Sequence, residues 1–309
     1  VPSPTRRSAK ASLVVMTRSD ERRPSGAGLA DAWRGAAAEG RRCGLAFERL
    51  ADPWNGVNLG GWLLLEPGPA DPLFEQHPSP EDGEEARCEW DLMEILRAKL
   101  GAQGANEVIH QHRERHITKG DFERIRACGL NAVRLPFGYW VVLGPSAGEP
   151  YAAGPSLTFI DRALDWAEEF GLQVVLDLHG CPGGESGEAP CGRRQRPHGT
   201  WQWQHWDMDL SLKAIEVVCR RYCHRGCVTG VAVCNEPSNE TPLVRLCEYY
   251  GRAIATIRRC GMPADRVAAV LGHHPPLRDA PEPGGGPASR VPAPARVPAP
   301  RGQVREEVA

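Results

Sequence analysis

Gln173-Val174-Val175-Leu176-Asp177-Leu178 is a run of strand length, and the polar residues Asp177 and His179 cluster where it ends. The same texture recurs on both sides: Asn131–Leu135 carries Arg134, and Val231–Cys234 runs into Asn235-Glu236-Pro237. Two more short runs, Val57–Leu59 and Val267–Leu271, complete five candidate strands. Between them lie stretches of helical period near Glu85–Leu100, Thr118–Cys128, Leu157–Phe170, Leu210–Tyr222 and Pro242–Arg259. Thr118 and Asp121 have capping-box spacing, and Gly129 and Gly171 follow the last periodic residues as stops.

Strands alternating with helices favour a parallel sheet. Polar residues at the carboxyl ends of successive strands favour closure into a (β/α)8 barrel, where sites are built at those ends. A doubly wound sheet would more often carry a glycine-rich phosphate turn after its first strand, and Gly60-Gly61-Trp62 lacks that spacing. A barrel has eight strands. Only about five precede residue 275, where Pro, Gly, Ala and Arg take over and Arg-Val-Pro-Ala-Pro occurs at 290–294 and again at 296–300. The expected fold class is therefore α/β, a (β/α)8 TIM barrel of which about the first five strands are present, over residues 51–274. An Arg-, Ala-, Gly- and Ser-rich segment at 1–50, with one short helix near Ala30–Ala38, and the tail at 275–309 are expected to be disordered.

A chain of 309 residues with 41% hydrophobic content can bury one large core. A formal net charge of −2 steers it toward neither nucleic acid nor an anionic membrane, and suits a neutral substrate. No run of about 18 apolar residues is present to span a bilayer. The residues from Val1 lack the apolar core of a secretory signal, although a start at Val leaves room for one upstream. No cofactor motif is present. Of eleven cysteines, Cys181 and Cys191 flank a loop and are the first pair to test as a disulfide. Cys219, Cys223 and Cys227 recur every four residues without a Cys-x-x-Cys knuckle, so they read as a helix face plus a loop thiol rather than a metal site.

Glycoside hydrolysis needs one carboxylic acid to protonate the leaving oxygen and a second carboxylate on the other face of the sugar. Glu236 at a strand end suits the first role, and the amide of Asn235 can bond a sugar hydroxyl. Alone, the tripeptide equally suits a plain strand-to-helix turn with Glu near a helix N-terminus.

Several motifs in order resemble the exo-β-1,3-glucanase branch of glycoside hydrolase family 5. These are Gly56-Val57-Asn58-Leu59-Gly60-Gly61-Trp62-Leu63 leading to Leu65-Glu66-Pro67, His116-Ile117-Thr118 with Asp121-Phe122, Asn131-Ala132-Val133-Arg134-Leu135-Pro136 with Gly138-Tyr139-Trp140, and Asp161-Arg162-Ala163-Leu164. They continue through Asp177-Leu178-His179-Gly180 with Pro182-Gly183 to Asn235-Glu236-Pro237, so the likeness covers about 56 to 272. The resemblance implies a retaining β-glucan hydrolase without metal or cofactor, placed extracellularly or in a cell wall. It assigns Glu236 as acid/base, Asn235 and His179 as sugar ligands, Arg134 as brace of the catalytic carboxylates, and Glu66 as partner of a glucose hydroxyl. Read as bare residues, Arg134 also fits a rim salt bridge, His179 a metal ligand or core imidazole, and Glu66 a surface residue ending the first strand.

Two departures bear on this. After His179-Gly180 the family continues through Gln-Asn-Gly and Asp-Asn-Ser-Gly, whereas here Glu185-Ser186-Gly187 and Ala189-Pro190-Cys191-Gly192 stand instead. The family's nucleophile, in a Gly-Glu-Trp-like context, has no counterpart after Glu236, because Glu282, Glu306 and Glu307 fall in the tail. The expectation is a chain inactive for lack of its nucleophile. The alternatives are a non-catalytic carbohydrate-binding relative and, last, a metal-dependent hydrolase using His179, His205, His273 and His274. Trp201, Trp203 and Trp206 fit a sugar-stacking platform and a self-packed loop equally well.

Overall fold

The computed structural model describes residues 53–79, 85–154, 156–194, 201–264 and 267–270. The expected disorder of 1–50 and 275–309, the helix near Ala30–Ala38, and His273, His274, Glu282, Glu306 and Glu307 lie outside the described residues.

Five parallel strands pair in chain order: β1 Gly56–Asn58, β2 Ala132–Gly138, β3 Gln173–Gly180, β4 Val228–Ala232 and β5 Ala268–Val270. Helices α1 Asp71–Gln76 and α2 Glu89–His116 follow β1 and lead to α3 Lys119–Ala127. Next come α4 Tyr139–Leu143 and α5 Leu157–Phe170 after β2, α6 Met208–Tyr222 after β3, and α7 Leu243–Arg259 after β4. The register sets Asn58 level with Arg134, Arg134 level with Val175, and Asp177 level with Ala232. Val174, Leu176 and Leu178 on one face of β3 are buried in the main core with Phe159, Ile160 and Leu164 of α5 and Ile215 and Val218 of α6. Asp177 and His179 therefore belong to the opposite, inner face.

The expected element boundaries hold to within a few residues in most cases. Asp121 accepts from the Thr118 N–H at 2.8 Å and from its hydroxyl at 2.7 Å, closing the N-terminus of α3. Gly171 ends α5 in the left-handed region at φ +66°. The main departure is α2, expected to end near Leu100, which continues to His116 across a break at Gly101 (φ +71°). The strand expected at Val231–Cys234 is shifted to Val228–Ala232 and runs through Gly230, where the Trp54 ring sits in the place of a side chain: a Cβ there would lie 2.8 Å from it.

Trp54 also reveals that the sheet curves. It precedes β1, yet its indole N–H donates to Thr229 Oγ1 of β4 at 2.9 Å. In a flat sheet those strands stand about 14 Å apart, beyond the reach of an indole. The sheet is rolled toward a barrel, with the half-buried Trp54 reaching across from the start of β1 to β4.

All ten cysteines among the described residues are free thiols. The candidate disulfide pair is thus two buried thiols, with Cys191 Sγ donating to the Glu188 carbonyl at 3.0 Å. Cys219 is on the buried face of α6, Cys223 caps that helix, and Cys227 is buried ahead of β4. Among the described residues no helix is long and apolar enough to cross a membrane, and no group of three His, Cys, Asp or Glu could hold a metal ion.

Candidate active site

Arg134 extends from the middle of β2 along the inner face toward the carboxyl end. Its Nη2 lies 2.8 Å from Asp177 Oδ2 and donates to Asn235 Oδ1 at 2.7 Å, while Nη1 donates to Asn58 Oδ1 at 3.2 Å. One guanidinium thus joins β1, β2, β3 and the turn after β4. Five donors in a fixed plane make arginine, and not lysine, suited to such a junction.

His179 Nδ1 lies 2.7 Å from the same Asp177 oxygen and 3.2 Å from Arg134 Nη2. The carboxylate can accept from both, whereas two donors cannot bond each other, so Nδ1 carries its proton toward Asp177. In a neutral ring this tautomer leaves Nε2 as an acceptor. Asp177 is completely buried and His179 is 5% exposed. Asn235 is half-buried, and Glu236 beside it is exposed at the mouth.

Glu66 is half-buried on the segment after β1. Burial raises its carboxyl above the ordinary range, His179 and Arg134 pull it back, and the negative charges of Glu236 and Asp177 push it further up. All five predicted site residues, Glu66, Arg134, His179, Asn235 and Glu236, therefore gather at the carboxyl end of the sheet, and Glu66 does not end on open surface.

The segment carrying Glu66 has an anchor that the sequence reading missed. Glu89, the first residue of α2, is fully buried and accepts from the Leu65 N–H and from Trp140 Nε1, both at 2.9 Å. Arg113, farther along α2, stands 3.6 Å from it. Burial raises the Glu89 carboxyl and Arg113 opposes the shift. Asp177 was visible among the polar residues at a strand end, though not as a site residue, whereas Glu89 carries no spacing signal because its partners are far away in sequence.

Two of the three loop tryptophans pack the loop itself. The buried Trp201 donates to the Gly184 carbonyl at 3.0 Å, and the buried Trp206 donates to Ser211 Oγ at 3.0 Å and meets Tyr249 edge-on at 4.8 Å. Trp203 is half-buried in the short helical turn between them.

Residues 98–270 match the family model of Cellulase (glycosyl hydrolase family 5). The chain is 38% identical over 220 residues to "Probable glucan 1,3-beta-glucosidase A" of Aspergillus niger, covering 69% of this chain and 49% of that protein. It is 36% identical over 223 residues to "Glucan 1,3-beta-glucosidase" of Blumeria graminis, covering 71% and 49%. The chain thus spans about half the length of the curated relatives it matches. Among solved structures, rutinosidase from Aspergillus niger superimposes with a TM-score of 0.57 at 20% identity, over 72% of this chain and 62% of that one. That likeness bears on fold alone, and gives the curved sheet the architecture of a (β/α)8 barrel over the part described. With a family model matched across more than half its length, the chain belongs to glycosyl hydrolase family 5, the cellulase family.

Proposed function

We propose that this protein binds β-1,3-linked glucan at the carboxyl end of the sheet, and that Glu236 is the proton donor for cleavage with retention. The observation that carries the reading is the single network through Arg134, which ties Asp177, His179 and Asn235 together beside Glu236 and Glu66. The names of the relatives supply the linkage.

In this reading Glu236, exposed at the mouth, gives its proton to the glycosidic oxygen as the bond to the anomeric carbon breaks. Asn235 is held by Arg134 through its carbonyl oxygen, so its NH2 group is free to donate to a sugar hydroxyl. His179 presents Nε2 as an acceptor, and Glu66 bonds another hydroxyl of the same ring. A retaining reaction also needs a second carboxylate about 5 Å from the first, to form and then release a glycosyl ester. Of the carboxylates after Glu236, Glu240 is exposed in the following turn and Glu248 pairs with Arg245 on α7 at 2.9 Å. Asp265, Asp279, Glu282, Glu306 and Glu307 lie outside the described residues. The proposal is that residues 1–309 alone bind the glucan without efficient turnover.

Calorimetric titration of residues 1–309 with laminaritriose tests binding, and an aryl β-glucoside tests turnover. Binding should occur, and Arg134→Ala should weaken it about tenfold or more, because Asn235 loses its anchor and buried Asp177 its cation. Absence of saturable binding at about millimolar ligand overturns the β-glucan reading. Turnover of the aryl glucoside that disappears in Glu236→Gln overturns the inactivity while supporting the role of Glu236.

A further inference from the structure

Glu185 makes no hydrogen bond to the Arg134 network, yet it joins the two loops that carry the site. It lies on the loop after β3 and is completely buried. Its Oε2 accepts the Cys181 N–H at 2.9 Å, and its main-chain carbonyl accepts the Ser238 N–H at 3.0 Å, two residues past Glu236. Oε1 is buried without a hydrogen-bond partner, and Glu185 has no ion-pair partner among the described residues. The intervening loop has little freedom. Gly184 N–H donates to the Cys181 carbonyl at 2.9 Å, and a Cβ on Gly183, at φ +76°, would overlap the carbonyl oxygen of His205.

We infer that Glu185 is a positioning residue for the proton donor: its side chain fixes the loop after β3, its carbonyl fixes the turn carrying Asn235 and Glu236, and it does both in the uncharged form. The inference rests on the reading of Glu236 given above. An ionised carboxylate in this place would be buried with only main-chain N–H donors and no ion-pair partner among the described residues, which is unfavourable. Burial accordingly pushes the Glu185 carboxyl up to about 7; the N–H groups of Cys181 and of Glu185 itself and then His179 pull it down, and Asp177 pushes it up. The other titratable groups facing it are Cys181, Cys191 and, from α7, Tyr249. Burial raises Cys191 to about 12 and holds Cys181 and Tyr249 well above their ordinary values. Of Glu185, the two thiols and the phenol, Glu185 alone changes charge near neutrality. Once ionised beside Asp177, it repels a carboxylate and loosens the loop it had closed.

The test is amide hydrogen exchange on the full 309-residue chain at about pH 5.5 and about pH 8.5, corrected for intrinsic rates, for wild type, Glu185→Gln and Glu185→Ala. Peptides covering 179–187 and 234–241 report the two loops. In the wild type their protection should fall about tenfold or more at the higher pH. Glu185→Gln, which keeps an acceptor for Cys181 and cannot ionise, should be protected at both, and Glu185→Ala at neither, with peptides from α5 unchanged throughout. Laminaritriose affinity in the same samples should follow the protection of 234–241. Equal protection in all three proteins, or a pH response that persists in Glu185→Gln, overturns the inference. If the exchange pattern holds but laminaritriose does not bind, the tie stands as a structural device and the reading of Glu236 fails.

Discussion

His112 illustrates how much of the loop after β1 depends on one protonation state. Its Nε2 lies 2.6 Å from the Gly61 carbonyl, and its ring stacks on His116 at 4.6 Å, which in turn reaches the Gly60 carbonyl at 3.1 Å. Burial lowers the His112 imidazole to about 4, with the charges of His116 and Arg113 adding to the shift and the bond to Gly61 opposing it. Above about 6.5 the ring is neutral folded or unfolded. As the pH falls from there toward about 4, the unfolded chain takes up a proton that the folded chain refuses, and stability drops by up to about 3 kcal/mol. In His112→Gln, whose amide can still donate to Gly61, urea midpoints measured across that window should decline less steeply than in the wild type. An equally steep decline would remove His112 as the cause. At this scale the sequence is legible where partners are close along the chain: Asp177 and His179 stand out together as polar residues ending one apolar run. Glu89 is not legible, because its bonds run to Leu65 and Trp140, 24 and 51 residues away.

Among the elements, α2 does two things at once. Its first residue, Glu89, holds the Leu65 amide beside Glu66, and its later part brings Arg113 back to the same carboxyl. Arg113 also donates to Ser156 Oγ at 2.8 Å, just ahead of α5. Removing one member of a buried pair leaves the other uncompensated, so Glu89→Ala should cost about 3–5 kcal/mol in denaturant unfolding, while Glu89→Gln, which keeps an acceptor for Leu65, should cost less. A loss below about 1 kcal/mol for Glu89→Ala would mean that Arg113 finds solvent without it. The periodicity of Glu85–Leu100 announces a helix but does not reveal its continuation beyond Gly101. After a glycine at φ +71° the chain re-enters helix, and the second half is held by Ala105 and Ile109 packing in the smaller core cluster, a tertiary contact with no local signal. The helices α1 and α4 went unread for a related reason. At 6 and 5 residues they are too short to be stable by propensity and exist because Leu73, Tyr139 and Trp140 are buried.

For the molecule as a whole, the parallel order of the strands follows from the β-α repeat, and the polar residues at the strand ends already favour closure, but what produces the curvature is not local. The curvature rests on contacts such as Trp54 to Thr229, which no window of sequence contains. That contact also places a demand on synthesis. The two residues are separated by 175 positions, so at ordinary rates of elongation a ribosome spends on the order of 10–30 s building β4 after it has finished Trp54. Throughout that interval the indole has nowhere to dock, and the first strand depends on other protection. Nascent chains arrested before Val228 should therefore be cut by protease near Trp54, and chains arrested once β4 and β5 have cleared the exit should resist. Resistance at the earlier arrest would show that β1 is secured without the roll of the sheet. The Trp54 indole is thus a late contact in synthesis, one that cannot close on Thr229 until the fourth strand has been made.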